Sequence, residues 1–250
     1  MRYTRHMPVQ GAYNIRDLGG YVTGSGSMTP WRRFLRSDSL HRIAAGETDR
    51  LHSEGVRAVI DLRTTSEVAD APNPFAAYPG VHFANLPLFA DLSPVALSNA
   101  DARTEHPLLS FYMSALETRG TAICSILGEI AAVDHGAVLF NCTAGKDRTG
   151  IIAALLLGVA EVPRNQIISD YTLTAEFIPD LVAEFLDLSR ARGGDTKNYA
   201  RLLESPASTM AGILEHIGIR YGTVSNYLQE IGLPRSDYRT LHNRLIGEGQ

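Results

Sequence analysis

Cysteine is scarce in this chain. Cys124 and Cys142 are its only two, too few for the disulfide framework of a secreted protein. The eight histidines form no His-x-His or His-x3-His pair, so no metal and no other cofactor is expected. Positive charge is not in excess either: the formal net charge is −4, which gives no general affinity for nucleic acid. No apolar run is long enough to span a bilayer, and the longest uncharged one, Gly150 to Ala160, falls well short. Met1 to Gln10 lacks the apolar core of a signal peptide. The expectation is a cytoplasmic protein without an integral membrane segment. Internal repeats are missing too, so residues 1–250 read as one domain able to bury a substantial core.

Strand-like and helix-like patterns alternate along that length. Val56 to Leu62, Val81 to Leu86 and Ala137 to Phe140 are short apolar runs of strand type. Ile43 to Glu54 reads as a helix ending at Gly55, and Leu108 to Val133 carries helical periodicity. Residues 13–37 suggest short strands and turns, and residues 90–108 a loop. The alternation predicts an α/β fold with a mainly parallel central sheet flanked by helices. In such sheets ligands bind at the carboxyl ends of the strands. Beyond Ala160 the chain turns helical, and Ile178 to Arg192 is amphipathic, stopping at Gly193-Gly194. Residues 160–210 read as core scaffold or as a lid over the site. Residues 222–246 read as a closing helix pair split by Gly232 and Pro234.

Chemistry is concentrated in Asn141-Cys142-Thr143-Ala144-Gly145-Lys146-Asp147-Arg148-Thr149-Gly150. A thiol ends an apolar strand, and after five intervening residues an arginine stands where an apolar helix begins. A turn opening into a helix aims backbone N–H groups inward and adds the positive end of the helix dipole. Thr143, Ala144, Gly145, Lys146, Thr149 and Gly150 are thus candidates for binding a phosphoryl group, with Arg148 as a planar bidentate donor. A nucleotide-binding Gly-x4-Gly-Lys-Ser/Thr loop does not fit, since Phe140 replaces its first glycine and Asp147 its hydroxyl residue. A sulfurtransferase loop does not call for the Arg148-Thr149-Gly150 ending. Asp61 and Arg63 either line the site or form a buried ion pair, and Arg16 and Asp17 tie down the N-terminal segment. Cys124 reads as a core residue.

Cys142 to Gly150 resembles the signature loop of the cysteine-dependent protein tyrosine phosphatase superfamily. Asn14-Ile15-Arg16-Asp17-Leu18-Gly19-Gly20, Leu35-Arg36-Ser37-Asp38-Ser39-Leu40 and Val59-Ile60-Asp61-Leu62-Arg63 are similar to one bacterial branch, which accepts phosphotyrosine and often phosphoinositides. That resemblance implies a metal-independent phosphomonoesterase acting on a phosphorylated protein or a phosphoinositide and releasing phosphate. Cys142 would be the nucleophile, Arg148 the oxyanion clamp, and Thr149 the donor that eases the sulfur's departure. Asp147 is the favoured general acid, with Asp91, on a loop of the kind that carries the acid in many relatives, as its rival. Lys146 adds charge for a second phosphate. The branch also tends to cover its pocket with helices, which raises the lid reading. Asn141 departs from the family's usual histidine and implies a thiol that ionises less readily. The other class of function is a phosphate-binding module of the same fold without turnover.

Overall fold

The computed structural model describes residues 4–89 and 107–247. Five strands form one sheet in the order β1-β2-β5-β3-β4. They are β1 (Arg16–Asp17), β2 (Phe34–Ser37), β3 (Val56–Asp61), β4 (His82–Asn85) and β5 (Ala137–Asn141). β1 is antiparallel to β2, and the other pairings are parallel. The fold is α/β, a mainly parallel sheet flanked by helices.

β5 lies between β2 and β3 and is buried on both faces, which requires apolar side chains at successive positions. Val138 and Phe140 join Ala58 and Ile60 in the larger core, while Ala137 and Leu139 join Leu35 and Val59 in the smaller. Each such valine, leucine or phenylalanine contributes about 1.5–3 kcal/mol on burial. The larger core is closed by the Pro107–Thr118, Gly120–Ala131 and Asp147–Val159 helices. The last of these carries the apolar run after the motif and is buried nearly all round. The Arg164–Thr172, Val224–Glu230 and Arg235–Ile246 helices pack against it.

Two helices differ from their sequence reading. The first starts at Glu47 rather than Ile43, because Gly46 adopts φ +88 and a left-handed residue cannot propagate a helix. The stretch from Leu108 to Val133 is two helices, parted where Arg119 leaves helical geometry at φ −111, ψ 22. Most of residues 90–108, including Asp91, lies outside the described residues.

Residues 160–210 divide in two. The Arg164–Thr172 helix buries Ile167 and Tyr171 in the larger core, as does the start of Ala207–Tyr221 with Met210. The Pro179–Ala191 helix instead meets the signature loop, where Ile178 and Leu181 pack on Ala144. Gly232, at φ +93, and Pro234 separate the Val224–Glu230 and Arg235–Ile246 helices. Among the described residues no helix is long and apolar enough to cross a membrane.

Candidate active site

Strand alternation puts Cys142 on the face of Val138 and Phe140, and its side chain is buried at the carboxyl edge of the sheet. The loop from Cys142 to Lys146 then turns into the Asp147–Val159 helix. Gly145 makes the turn possible. It adopts φ +66, and a Cβ there would lie 2.6 Å from the backbone of Ser37 and Asp38.

Three of the loop carbonyls are engaged from outside. Ser39 N donates to Thr143 O at 3.0 Å, and Asn14 Nδ2 to Ala144 O at 3.0 Å and Gly145 O at 3.2 Å. Arg36 Nη2 donates to Gly145 O at 2.7 Å. In a trans peptide the carbonyl and the following N–H point to opposite sides, and no described peptide bond is cis. Carbonyls pinned outward at Thr143, Ala144 and Gly145 therefore turn the amides of Ala144, Gly145 and Lys146 inward. Three converging N–H groups at a helix N-terminus suit a phosphoryl group's equatorial oxygens.

Arg148 is held by a residue that the sequence reading did not single out. Glu67 accepts from its Nη1 at 2.6 Å and its Nη2 at 2.9 Å, a bidentate pair. Thr143 Oγ1 accepts from Arg148 Nη2 at 2.9 Å and donates to Glu67. Phe89 places its ring 6.0 Å from the guanidinium. Burial raises the Glu67 carboxyl, but the hydrogen bonds and charge of Arg148 outweigh it and hold it at about 2. The pairing with Arg148 thus favours the ionised form of Glu67. Its signal was legible: Thr64 and Glu67 form a capping box at the start of the Thr65–Asp70 helix, just after β3. Glu67→Gln should leave the fold intact and lower kcat on an aryl phosphate by about 10-fold to 100-fold, because Arg148 loses its aim. A kcat within twofold of the parent would show that the clamp is dispensable.

Asp147 opens the helix and accepts a hydrogen bond from Tyr112, with Lys146 Nζ 3.4 Å away. Burial first, then the Asp147 charge, pushes the Tyr112 phenol well above its ordinary range, so Tyr112 remains a donor. Lys146 is itself buried, and its ammonium donates to the carbonyls of Leu202 and of Glu204, the latter at 3.2 Å. Thr149 Oγ1 is buried with no hydrogen-bond partner among the described residues. The Gly150 amide is spent on Lys146 O at 2.8 Å, and its missing Cβ makes room for the ring of Tyr171, so its place is in helix packing.

The remaining sequence candidates are structural. Asp61 and Arg63 pair at 2.7 Å, both buried, and Arg63 Nη1 donates to Ala71 O at 3.0 Å, capping the helix that carries Glu67. Asn141 accepts from Asn73 Nδ2 at 3.4 Å, and Asn73 also donates to Asp61, so Asn141 belongs to the polar cluster behind the loop. Asp17 accepts from the amides of Gly19 and Arg32 and braces the N-terminal segment. Cys124 is half-buried and its thiol donates to Ile231 O at 3.3 Å. No three His, Cys, Asp or Glu side chains among the described residues are grouped to hold a metal ion.

Known proteins are similar to this chain in sequence across most of its length. A tyrosine-protein phosphatase from Nostoc commune is 32% identical over 225 residues, 86% of this chain and 75% of its own. The triple specificity protein phosphatase PtpB of Mycobacterium tuberculosis is 26% identical over 97% of this chain and 99% of its own. Among solved structures, that of P. aeruginosa TpbA covers 76% of this chain and 97% of its own at 16% identity. Its TM-score of 0.33 is too low to bear on the site. The model of the tyrosine phosphatase family matches residues 7–247, a span that takes in the thiol, the pinned loop and the clamped arginine alike, and the chain belongs to that family.

Proposed function

We propose that the protein is a metal-independent phosphomonoesterase that hydrolyses phosphotyrosine, phosphoinositides or both through a cysteinyl-phosphate. The observation that carries this reading is the set of three loop carbonyls pinned outward around a buried thiol. The thiolate of Cys142 attacks phosphorus as the P–O bond to the leaving group breaks. Arg148 and the loop amides hold the equatorial oxygens while charge redistributes. Asp147 gives its proton to the leaving oxygen. Water then attacks the phosphorus, Asp147 takes the proton back, and the P–S bond breaks to release phosphate and restore the thiolate. Thr149, whose hydroxyl has no partner among the described residues, is the donor assigned to that returning negative charge.

A phosphate-release screen over phosphopeptides and phosphoinositides, run in the presence of a chelator, tests the reading. Release from at least one class is expected, and no release from any, nor from para-nitrophenyl phosphate, would overturn it.

The phosphoinositide half of the reading rests on Lys146. Its ammonium lies on two neutral carbonyls and 3.4 Å from Asp147 Oδ1, and a second phosphate would add a stronger partner than the carbonyls. Lys146→Ala should therefore lower turnover of a phosphoinositide at least about 10-fold more than turnover of an aryl phosphate, which offers no second anion. Equal losses on the two substrates would reduce Lys146 to a strut between the loop and the Thr196–Leu203 helix.

A further inference from the structure

A buried polar framework outside the signature loop ends on the loop's carbonyls. Its centre is Asp170, in the Arg164–Thr172 helix, with a side chain 1% exposed. Oδ1 accepts from Arg16 Nε at 3.1 Å and from Tyr21 OH at 3.0 Å, and Oδ2 accepts from Arg36 Nη1. Two arms leave this carboxylate. On one, Arg16 Nη1 donates to Asn14 Oδ1, which fixes the amide so that Nδ2 reaches Ala144 O and Gly145 O. On the other, Arg36 Nη2 donates directly to Gly145 O.

We propose that Asn14 and Arg36 are positioning residues for phosphoryl transfer, held by Asp170, and that their task is to aim the loop amides. The inference rests on the reading of the site given above. Asp170 touches the loop only through its arginines among the described contacts, so it acts at second hand. Stability alone does not account for such a group. Burying two guanidiniums and a carboxylate is no better for folding than a well-packed apolar core. Burial opposes ionisation of Asp170, yet Arg16 and Arg36 outweigh it and hold the carboxyl at about 2. Burial and the nearby Arg36 bring Arg16 down to about 10. Arg36 Nε is left buried without a hydrogen-bond partner among the described residues, so the fork is not placed for its own satisfaction. What the framework delivers is direction: both arms end on the peptides whose opposite sides form the cradle.

Arg36→Lys separates this role from charge and folding. Lysine keeps the positive charge but is a single point donor, unable to hold Asp170 and Gly145 O together as a planar fork does. The measurements are thermal midpoint, vanadate affinity, and the pH profile of Cys142 alkylation by iodoacetate, together with kcat on para-nitrophenyl phosphate. With a midpoint within a few degrees of the parent, vanadate affinity should fall about 10-fold and kcat about 30-fold. The alkylation profile should move up by about one pH unit as amides turn away from the thiolate. Asn14→Ala, which leaves the Arg36–Asp170 pair in place, should change the same readouts in the same direction and decides the matter if Arg36→Lys does not fold. Folded variants with the parent's vanadate affinity and alkylation profile overturn the proposal. Those two readouts need no turnover, so a parent protein without phosphatase activity would count against the function proposed above and not against the positioning role.

Discussion

Cys142→Ser loses turnover of para-nitrophenyl phosphate by at least about 10³-fold, while vanadate still binds. The substitution exchanges sulfur for a smaller oxygen at a buried position, so the cradle around it is unchanged. Its amides are aimed by Ser39, Asn14 and Arg36, none of which depends on the thiol. What disappears is the nucleophile, because a serine hydroxyl cannot be ionised near neutral pH by a helix end and an arginine. The check is steady-state kinetics beside a vanadate titration monitored by a thermal shift. Retention of more than a few percent of activity would falsify the covalent mechanism. Loss of vanadate binding along with activity would show instead that the thiol organises the loop.

Asp147→Asn lowers turnover of an alkyl phosphate by roughly 10²-fold to 10⁴-fold, and that of para-nitrophenyl phosphate far less. An alkoxide leaves only if it is protonated in flight, whereas para-nitrophenolate departs readily as an anion. Asparagine still accepts from Tyr112 through its carbonyl oxygen, so the helix start is preserved, and the comparison of leaving groups separates the lost proton from the lost charge beside Lys146. The basic limb of the pH profile should flatten in the same variant, since that limb reports the acid. Asp91→Asn is the control. If it shows the leaving-group dependence and Asp147→Asn does not, the acid is Asp91.

What could be read from the sequence was local. The strand, the thiol, the glycine turn and the arginine are contiguous, and each constrains its neighbour through backbone geometry, so the loop was legible as a unit. Arg16 and Arg36 could be flagged, but not their partners, whereas the Asp61–Arg63 pair was already one of two readings of those residues. Arg16 meets Asp170 154 positions on, and Arg148 meets Glu67 81 positions back. No periodicity reports such pairings. Side-chain direction was equally hidden. Lys146 and Gly150 lie in the right segment, yet the ammonium turns to Leu202 and Glu204 and the glycine admits Tyr171. Helix existence was easier to read than helix limits, and Gly46 and Arg119 show how one residue's φ moves a boundary by several positions.

The side-to-side alternation of β5 has a consequence for how this chain can change over time. Val138, Phe140 and Cys142 share one face because they are spaced by an even number of positions, whatever residues lie between. Apolar side chains there can be exchanged for others of similar volume at modest cost. Length cannot be exchanged. Losing or gaining one residue between Ala137 and Phe140 would turn the thiol toward the face of Leu139 and Leu35, away from its arginine. Lineages of this protein are therefore free to drift in the letters of the strand while its letter count stays fixed, whereas β3 already absorbs a register shift between Val56 and Ala58 and carries no such restriction at that point.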